Sequence, residues 1–223
     1  MKKTAFVLLS ALVIGLLWWF QYETTVNVPW WDDFHGIILP VYTLFTDAPL
    51  LEKFQHFFSL NNEHRVVNDR IFTLLVYLLT GAFELKTVAL LGFLNLVGIY
   101  FILVNALRKS GASYWACLPL VFLLFTAQYY ESLQSLMVPF QNFSVLLYLL
   151  LSLYFLSFRK QAGWAFIFGV AALFSHGNAI LVFILGLLLL LVQGETKKSL
   201  YWTGGSVLVI AAYFWGYSKP SWT

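Results

Sequence analysis

Residues 88–107 form an apolar run without a charged side chain. A helix needs about 20 predominantly apolar residues to cross a bilayer, so this run strongly limits the possible folds. Shorter apolar runs occupy positions 5–20, 71–83, 114–127, 142–158, 164–174, 179–192 and 201–215. Hydrophobic residues make up 61% of the chain and charged residues 10%, against about 25% charged residues in soluble domains. The sequence therefore predicts an all-α, polytopic integral membrane bundle with about seven to eight transmembrane segments.

The first apolar run follows Lys2 and Lys3, as in a signal anchor. It has no small-residue cleavage site after it, so we expect it to remain as a helix with a cytoplasmic N-terminus. The predicted organisation is a single membrane domain, 1–223, divided into the anchor helix, 5–20, an outer loop, 21–70, and a transmembrane bundle, 71–217.

Two segments of the outer loop are predicted to lie along the membrane surface. Residues 34–45 are apolar but too short to span, and Gly36 and Pro40 interrupt them. After Leu50, the side chains of Leu51 and Phe54 begin an apolar series at helical spacing, with polar residues on the opposite face. This pattern is typical of an amphipathic interfacial helix.

The basic pairs predict the orientation of the bundle. By the positive-inside rule they should be cytoplasmic, and they are Arg108-Lys109, Arg159-Lys160 and Lys197-Lys198. Positions 128–141 and 175–178 then lie outside, beside the outer loop. Two apolar runs separate Arg70 from Arg108, however, and two crossings would return Arg108 to the outside. We therefore expect the 13-residue run 71–83 not to cross fully.

Seven of the ten acidic residues lie between positions 23 and 69, so we look for a site in the outer loop. Asp32 and Asp33 are adjacent carboxylates beside Trp31, an aromatic residue suited to the lipid interface. They are candidates for a general base or for ligands of Mg²⁺ or Mn²⁺, with Trp31 contacting the substrate. The alternative is a solvated turn that caps the following helix.

A second polar group follows the predicted amphipathic helix. Arg65 and Arg70 are candidates to bind a phosphate group because guanidinium donors match phosphate oxygens. Glu63 and His64 are further substrate-binding candidates, and the imidazole titrates near neutral pH. The alternative is a polar helix end held by local ion pairs.

Two later connections complete the candidate set. Glu131 is the only acidic residue between Glu84 and Glu195, and an acid between membrane segments is a functional candidate by default. Gln134, Gln141 and His176 are further substrate-binding candidates. The alternatives are an ordinary interfacial loop around Glu131 and a satisfied polar loop histidine at position 176.

Several classes of protein are disfavoured. No dense basic cluster indicates nucleic-acid binding, and the single cysteine excludes an intrachain disulfide. Zinc-ligand spacing, nucleotide-binding glycine motifs and Ser-His-Asp signatures are not present. A transporter is disfavoured because its ionisable residues should lie near the bilayer centre, whereas here they lie at segment ends.

The arrangement resembles the C-type glycosyltransferase superfamily. The resemblance is carried by the anchor, the outer loop and three motifs: Trp31-Asp32-Asp33, Asn62-Glu63-His64-Arg65, and Tyr130-Glu131 with Phe140-Gln141. Ser132 stands where the family pattern has asparagine. The resemblance covers most of this chain but only part of a typical family member, namely its N-terminal membrane module.

The resemblance implies a bacterial inner-membrane enzyme that takes a sugar from a polyprenyl-phosphate carrier on the outer face. Asp32 or Asp33 would deprotonate the acceptor or hold a metal, and Arg65 and Arg70 would hold the carrier phosphate. The acceptor, whether glycan, lipid or protein, is left open. A non-catalytic membrane subunit that binds a lipid-linked glycan is the alternative hypothesis.

Overall fold

A computed structural model describes residues 3–217. Lys2, expected beside Lys3 in the cytoplasm, lies outside these residues. Within them the chain is all-helical and contains no strand, which confirms the predicted fold class. The helices are α1 (Lys3–Thr24), α2 (Leu39–Thr43), α3 (Leu50–Phe57), α4 (Val67–Thr80), α5 (Leu85–Lys109), α6 (Tyr114–Leu124), α7 (Tyr130–Gln134), α8 (Ser144–Tyr154), α9 (Ala162–Leu173), α10 (Leu181–Val192) and α11 (Thr196–Phe214). Short π- and 3₁₀-helical turns at Phe34–Ile38, Ala127–Tyr129, Pro139–Phe143, Phe155–Arg159 and Gly177–Ile180 extend or precede them.

Four helical segments in residues 3–217 are long and apolar enough to cross a membrane: Lys3–Thr24, Leu85–Lys109, Tyr114–Gln134 and Pro139–Arg159. Helices α9 and α10 are apolar but shorter. The chain is therefore a helical membrane protein with four candidate spans, and the count of seven to eight spans stays a prediction.

Polar side chains fix the direction in which α1 and α5 pack. Ser10 and Tyr100 share a hydrogen bond of 2.6 Å between their oxygens, and Gln21 donates to the carbonyl of Ala89 at 3.0 Å. The N-terminal half of α1 thus contacts the C-terminal half of α5, so the two helices are antiparallel. We call the end at Gln21 the loop end and the end at Lys109 the basic end.

The later helices alternate between these two ends. Gln21 also donates to the carbonyl of Leu133 at 2.7 Å, so α7 lies at the loop end. Tyr154 of α8 bonds Asn105 of α5 at 2.9 Å, which places the end of α8 near the basic end. Helix α9 returns to the loop end, where Phe174 accepts a hydrogen bond from the backbone of Val67 at 3.0 Å. All three basic pairs therefore lie at the basic end.

The outer loop leaves and rejoins the bundle at the loop end. Asn27, just after α1, accepts a hydrogen bond of 2.6 Å from the backbone of Leu85, the first residue of α5. The chain from 28 to 84 therefore begins and ends at the same end. Helix α4 lies within this stretch and is not among the four candidate spans of residues 3–217; that it does not cross the membrane stays a prediction.

The loop segments expected to be interfacial are helical. The π-helical turn Phe34–Ile38 continues into α2, and its inner residue Ile37 is completely buried. Helix α3 has no buried residue, and its Leu50 and Leu51 are largely exposed. Exposed leucines beside membrane helices suit an interfacial position.

Candidate functional site

Asp33 is a buried structural carboxylate. It is 2% exposed, and each of its oxygens accepts two hydrogen bonds. Oδ2 accepts from the backbone N–H groups of Trp30 and Leu136 at 3.0 and 3.3 Å, and Oδ1 accepts from the Met137 N–H and the Ser135 hydroxyl at 3.1 and 3.3 Å. Burial raises the pKa of Asp33, and these four donors oppose the rise. The carboxylate thus joins the outer loop to the chain after α7.

Asp32 points the other way and is exposed. Adjacent residues face different directions, so the burial of one carboxylate leaves its neighbour free. Asp32 Oδ2 accepts one hydrogen bond, from Asn62 Nδ2 at 2.9 Å. Trp31 and Asn62 have positive φ angles of 48° and 51°, a conformation that is costly for a bulky residue such as tryptophan. Backbone strain of this kind concentrates at functional sites, and here it flanks the free carboxylate.

Two neighbouring cavities open at the loop end. One, of about 320 Å³, is lined by Trp30, Trp31, Asp32, Asp33, Glu131, Ser132, Ser135, Met137, Val138 and Gln141. The other, of about 660 Å³, is lined by Val26, Val28, Trp30, Trp31, Tyr130, Glu131 and Gln134. Because both tryptophans and Glu131 line both, the cavities are parts of one site. The side chains of Trp30 and Trp31 are 64% and 83% exposed.

Glu131 and two amides complete this site. Glu131 is exposed and accepts a hydrogen bond of 2.8 Å from the Tyr130 hydroxyl. Gln134 lines the larger cavity and Gln141 the smaller one. Within residues 3–217, no lysine or arginine lines either cavity. The site therefore presents carboxylates, amides and aromatic faces, but no cation.

Arg70 is placed away from the cavities. It is completely buried, and its guanidinium donates to the carbonyls of Gly36 at 2.8 Å, Phe57 at 2.6 Å and Ser59 at 2.9 Å. Burial lowers the pKa of Arg70 to about 10. It holds the C-terminal end of α3 against the bundle, so its burial argues against contact with a substrate phosphate.

Arg65 is also engaged by backbone carbonyls. Its guanidinium donates to Tyr213 at 2.7 Å and to Phe58 and Trp215. These carbonyls end α3 and α11, where a cation is favourable. Arg65 therefore ties the outer loop to the last helix, and most of its donors are already used.

His64 and His176 form a second cluster. Their ring centroids lie 3.8 Å apart with the ring planes tilted by 33°, although the outer loop contributes one and the α9–α10 connection the other. Burial lowers the pKa of both, and the neighbouring imidazole helps lower that of His176 to about 4. Burial therefore favours the neutral form of both rings. A β-carbon at Gly177 would lie 2.8 Å from the Tyr213 hydroxyl and 3.2 Å from His64 Nδ1. The Tyr213 hydroxyl and the His64 ring therefore both approach the backbone next to His176.

A tight turn joins the cavities to the histidine pair. Asn61 and His64 exchange backbone hydrogen bonds of 2.8 and 3.0 Å, Asn62 reaches Asp32, and His64 reaches His176. Glu63, between them, is exposed. The tryptophan-lined cavities beside Asp32 and the His64–His176 pair therefore lie next to each other at the loop end.

The side chains of the site do not form a good ligand set for a divalent cation. Asp33 uses all its hydrogen-bonding positions on protein donors, which leaves Asp32 as the free carboxylate of the pair. Within residues 3–217, no group of three His, Cys, Asp or Glu residues is assembled for a metal. The described residues therefore do not form a site suited to Mg²⁺ or Mn²⁺.

Three contributors were not among the predicted site residues. Trp30 lines both cavities, Asn62 holds Asp32, and Tyr213 anchors Arg65 beside the histidine pair. The Trp30-Trp31 doublet and the motif Asn62-Glu63-His64-Arg65 were sequence signals for Trp30 and Asn62. Nothing in the sequence distinguishes Tyr213 from the other interfacial tyrosines.

Comparison with known proteins adds no relative. No family model, no curated protein and no solved structure matches the chain. The assignment of a function therefore rests on the residues and contacts described above.

Proposed function

We propose that the protein is a membrane glycosyltransferase that moves a sugar from a polyprenyl-phosphate carrier to an acceptor at the outer face of a bacterial inner membrane. One observation carries the proposal: the free carboxylate of Asp32 and the carboxylate of Glu131 line one tryptophan-walled site at the loop end. Carboxylates, amides and exposed indole rings suit the hydroxyl groups and apolar faces of a sugar. The resemblance of three motifs to C-type glycosyltransferases supports the same function.

In this proposal Asp32 is the general base. Its carboxylate takes the proton from the acceptor hydroxyl, whose oxygen attacks the anomeric carbon of the donor sugar. The bond from that carbon to the phosphate oxygen breaks, polyprenyl phosphate leaves, and the anomeric configuration inverts. Asn62 orients the carboxylate, and Glu131 binds sugar hydroxyl groups.

The charge distribution supports the orientation. All basic pairs lie at the basic end, which by the positive-inside rule is cytoplasmic. The site at the opposite end then faces the outside, at the depth where Trp30 and Trp31 enter the lipid interface. A lipid-linked sugar can reach this position without leaving the membrane.

Substitution of the proposed base tests this function. Purified protein in lipid nanodiscs is given radiolabelled polyprenyl-phosphate sugars and a membrane acceptor extract, and transfer of label is measured. Loss of a general base lowers rates by about 10²- to 10⁴-fold, so we expect at least about 100-fold slower transfer for Asp32→Asn. Asp47→Asn is the matched control because Asp47 is an exposed carboxylate of the same loop that lines neither cavity. Wild-type rates for a folded Asp32→Asn protein would refute the mechanism.

A second candidate is a non-catalytic membrane subunit that binds a lipid-linked glycan. The specific observation in its favour is that Arg65 and Arg70 donate to backbone carbonyls, which leaves the site without a cation for a leaving phosphate. This function predicts that the labelled donor binds without release of its sugar. It also predicts that Asp32→Asn leaves the dissociation constant of the donor unchanged.

A further inference from the structure

We propose that the groove between α9 and α11, at the basic end, is a binding site for an anionic phospholipid. This site lies at the opposite end of the bundle from Asp32 and does not depend on the proposed transferase activity. The groove has a volume of about 310 Å³ and is lined by Ala162, Gly163, Phe166, Lys198, Tyr201, Trp202 and Gly205.

The floor of the groove is rigid and apolar. The indole N–H of Trp202 donates to the carbonyl of Phe183 at 2.8 Å, so its only donor is used inside the bundle. A β-carbon at Gly186 would lie 2.2 Å from the Trp202 ring, which shows how tightly the indole is seated. At Gly205 a β-carbon would lie 2.8 Å from the Phe166 ring. The aromatic floor is thus held in place from two helices.

Among residues 3–217, Lys198 is the basic residue that lines the groove. Lys197 precedes it, and Arg159 and Lys160 lie in the connection that leads into α9, at the same end of the bundle. Glu195 is the one acidic residue in these connections, and it bonds the Lys198 ammonium at 2.9 Å. Four basic residues against one acidic residue give the two connections at the basic end a net positive charge, and Lys198 carries part of it to the groove.

Helix stability does not explain the position of these lysines. Lys197 and Lys198 stand in the first turn of α11, where the helix dipole disfavours cations. A bound anion would offset that cost.

The surroundings favour a lipid over a soluble anion. Ile167 of α9 and Tyr201 and Leu208 of α11 are largely exposed, so an apolar surface continues beside the groove. A soluble phosphate would gain nothing from this surface, whereas an acyl chain would bury it. Basic pockets between membrane helices are recognised sites for anionic headgroups.

Native mass spectrometry of the intact protein, released from detergent with added lipid, tests the proposal. The probes are dimyristoylphosphatidylglycerol, which is anionic, and dimyristoylphosphatidylcholine, which is zwitterionic. We expect preferential retention of phosphatidylglycerol. Lys198→Gln should weaken it about fivefold, the effect of one lysine near an anionic headgroup, while Lys53→Gln in the outer loop should leave it unchanged.

A pair of glycine substitutions tests the groove itself. A β-carbon at Gly163 meets no atom within 4 Å, so Gly163→Leu should fold and fill the groove. Gly204 is equally open but does not line it, so Gly204→Leu is the matched control. We expect loss of phosphatidylglycerol retention only for Gly163→Leu. Equal retention of both lipids, unchanged retention in Gly163→Leu, or equal loss in both glycine variants would overturn the proposal.

Discussion

Substitution of Asp33 by asparagine should destabilise the fold, whereas the same change at Asp32 should not. Each carboxylate oxygen of Asp33 accepts two hydrogen bonds from N–H or O–H donors. Asparagine keeps one acceptor oxygen but turns an NH₂ group toward the other two donors. Two hydrogen bonds are lost, and donors then face donors in a buried position.

The magnitude follows from these contacts. Hydrogen bonds to a charged group contribute about 1.5–3 kcal/mol each, so the loss of two costs about 3–6 kcal/mol. Burial raises the pKa of Asp33, which means that the buried charge itself costs free energy. Removing the charge recovers part of the lost stability, so we expect the free energy of unfolding to fall by about 3 kcal/mol. For a chain of this size that corresponds to a decrease in Tm of about 6–12 °C. Asp32 has one exposed hydrogen bond, so its loss should cost less than about 1 kcal/mol.

The single cysteine provides the assay. Cys117 is completely buried, so a fluorogenic maleimide reacts with it only when the fold opens. Thermal unfolding of the purified protein in detergent can therefore be followed through this thiol for wild type, Asp32→Asn and Asp33→Asn. A Tm of Asp33→Asn within about 2 °C of wild type, less than 1 kcal/mol, would refute the structural role of this carboxylate. So would equal decreases in both variants.

Four further predictions concern the buried polar groups and close packing. Burial raises the pKa of Asp69 well above its usual value, so the folded state prefers the protonated carboxyl and the wild type loses stability as pH rises above about 4. Asp69→Asn should remove this loss in unfolding measured across pH, and an unchanged slope would contradict it. The pKa of His176 is lowered to about 4 by burial and by the adjacent imidazole, so stability should fall as pH drops below about 6.5. His176→Phe should reduce that fall, with the rest due to His64, whose pKa is also lowered by burial; an unaltered acid profile would count against the close contact of the two rings. Arg70→Gln leaves several buried carbonyls without donors and should cost more than about 3 kcal/mol, seen as loss of monodisperse protein in size-exclusion chromatography; normal yield and Tm would contradict this role. Gly186→Ala should cost about 1–3 kcal/mol through overpacking against Trp202, and an unchanged Tm would show that the indole can move aside.

Hydropathy and charge patterns predicted the helical membrane class and the main segments because each depends on neighbouring residues. The runs at 88–107 and 142–158 lie within helices that are candidate spans. The 71–83 run was expected not to cross fully because of its short length and the basic pair Arg108-Lys109. Its helix α4 is not among the four candidate spans of residues 3–217, and its path relative to the membrane stays a prediction. The count of seven to eight spans could not be established in this way, because α9 and α10 are apolar but short.

The roles of individual polar residues could not be read from local pattern. Arg65 and Arg70 match a phosphate-binding pair in type and spacing, yet both donate to carbonyls at helix ends. The tertiary fold decides which carbonyls come within reach, as that of Tyr213 does for Arg65, and a guanidinium binds a carbonyl and a phosphate through the same donors.

By itself, the sequence determined a helical membrane bundle with a polar loop after its first helix, because bilayer thickness and the cost of charge in lipid act on each segment separately. Only the tertiary structure decided which aspartate is free. Asp33 is satisfied by donors from Ser135, Leu136 and Met137, and its burial turns Asp32 toward Asn62 and the site shared with Glu131. Two adjacent residues of one type differ in role because packing between distant segments supplies hydrogen-bond partners to one of them and solvent to the other.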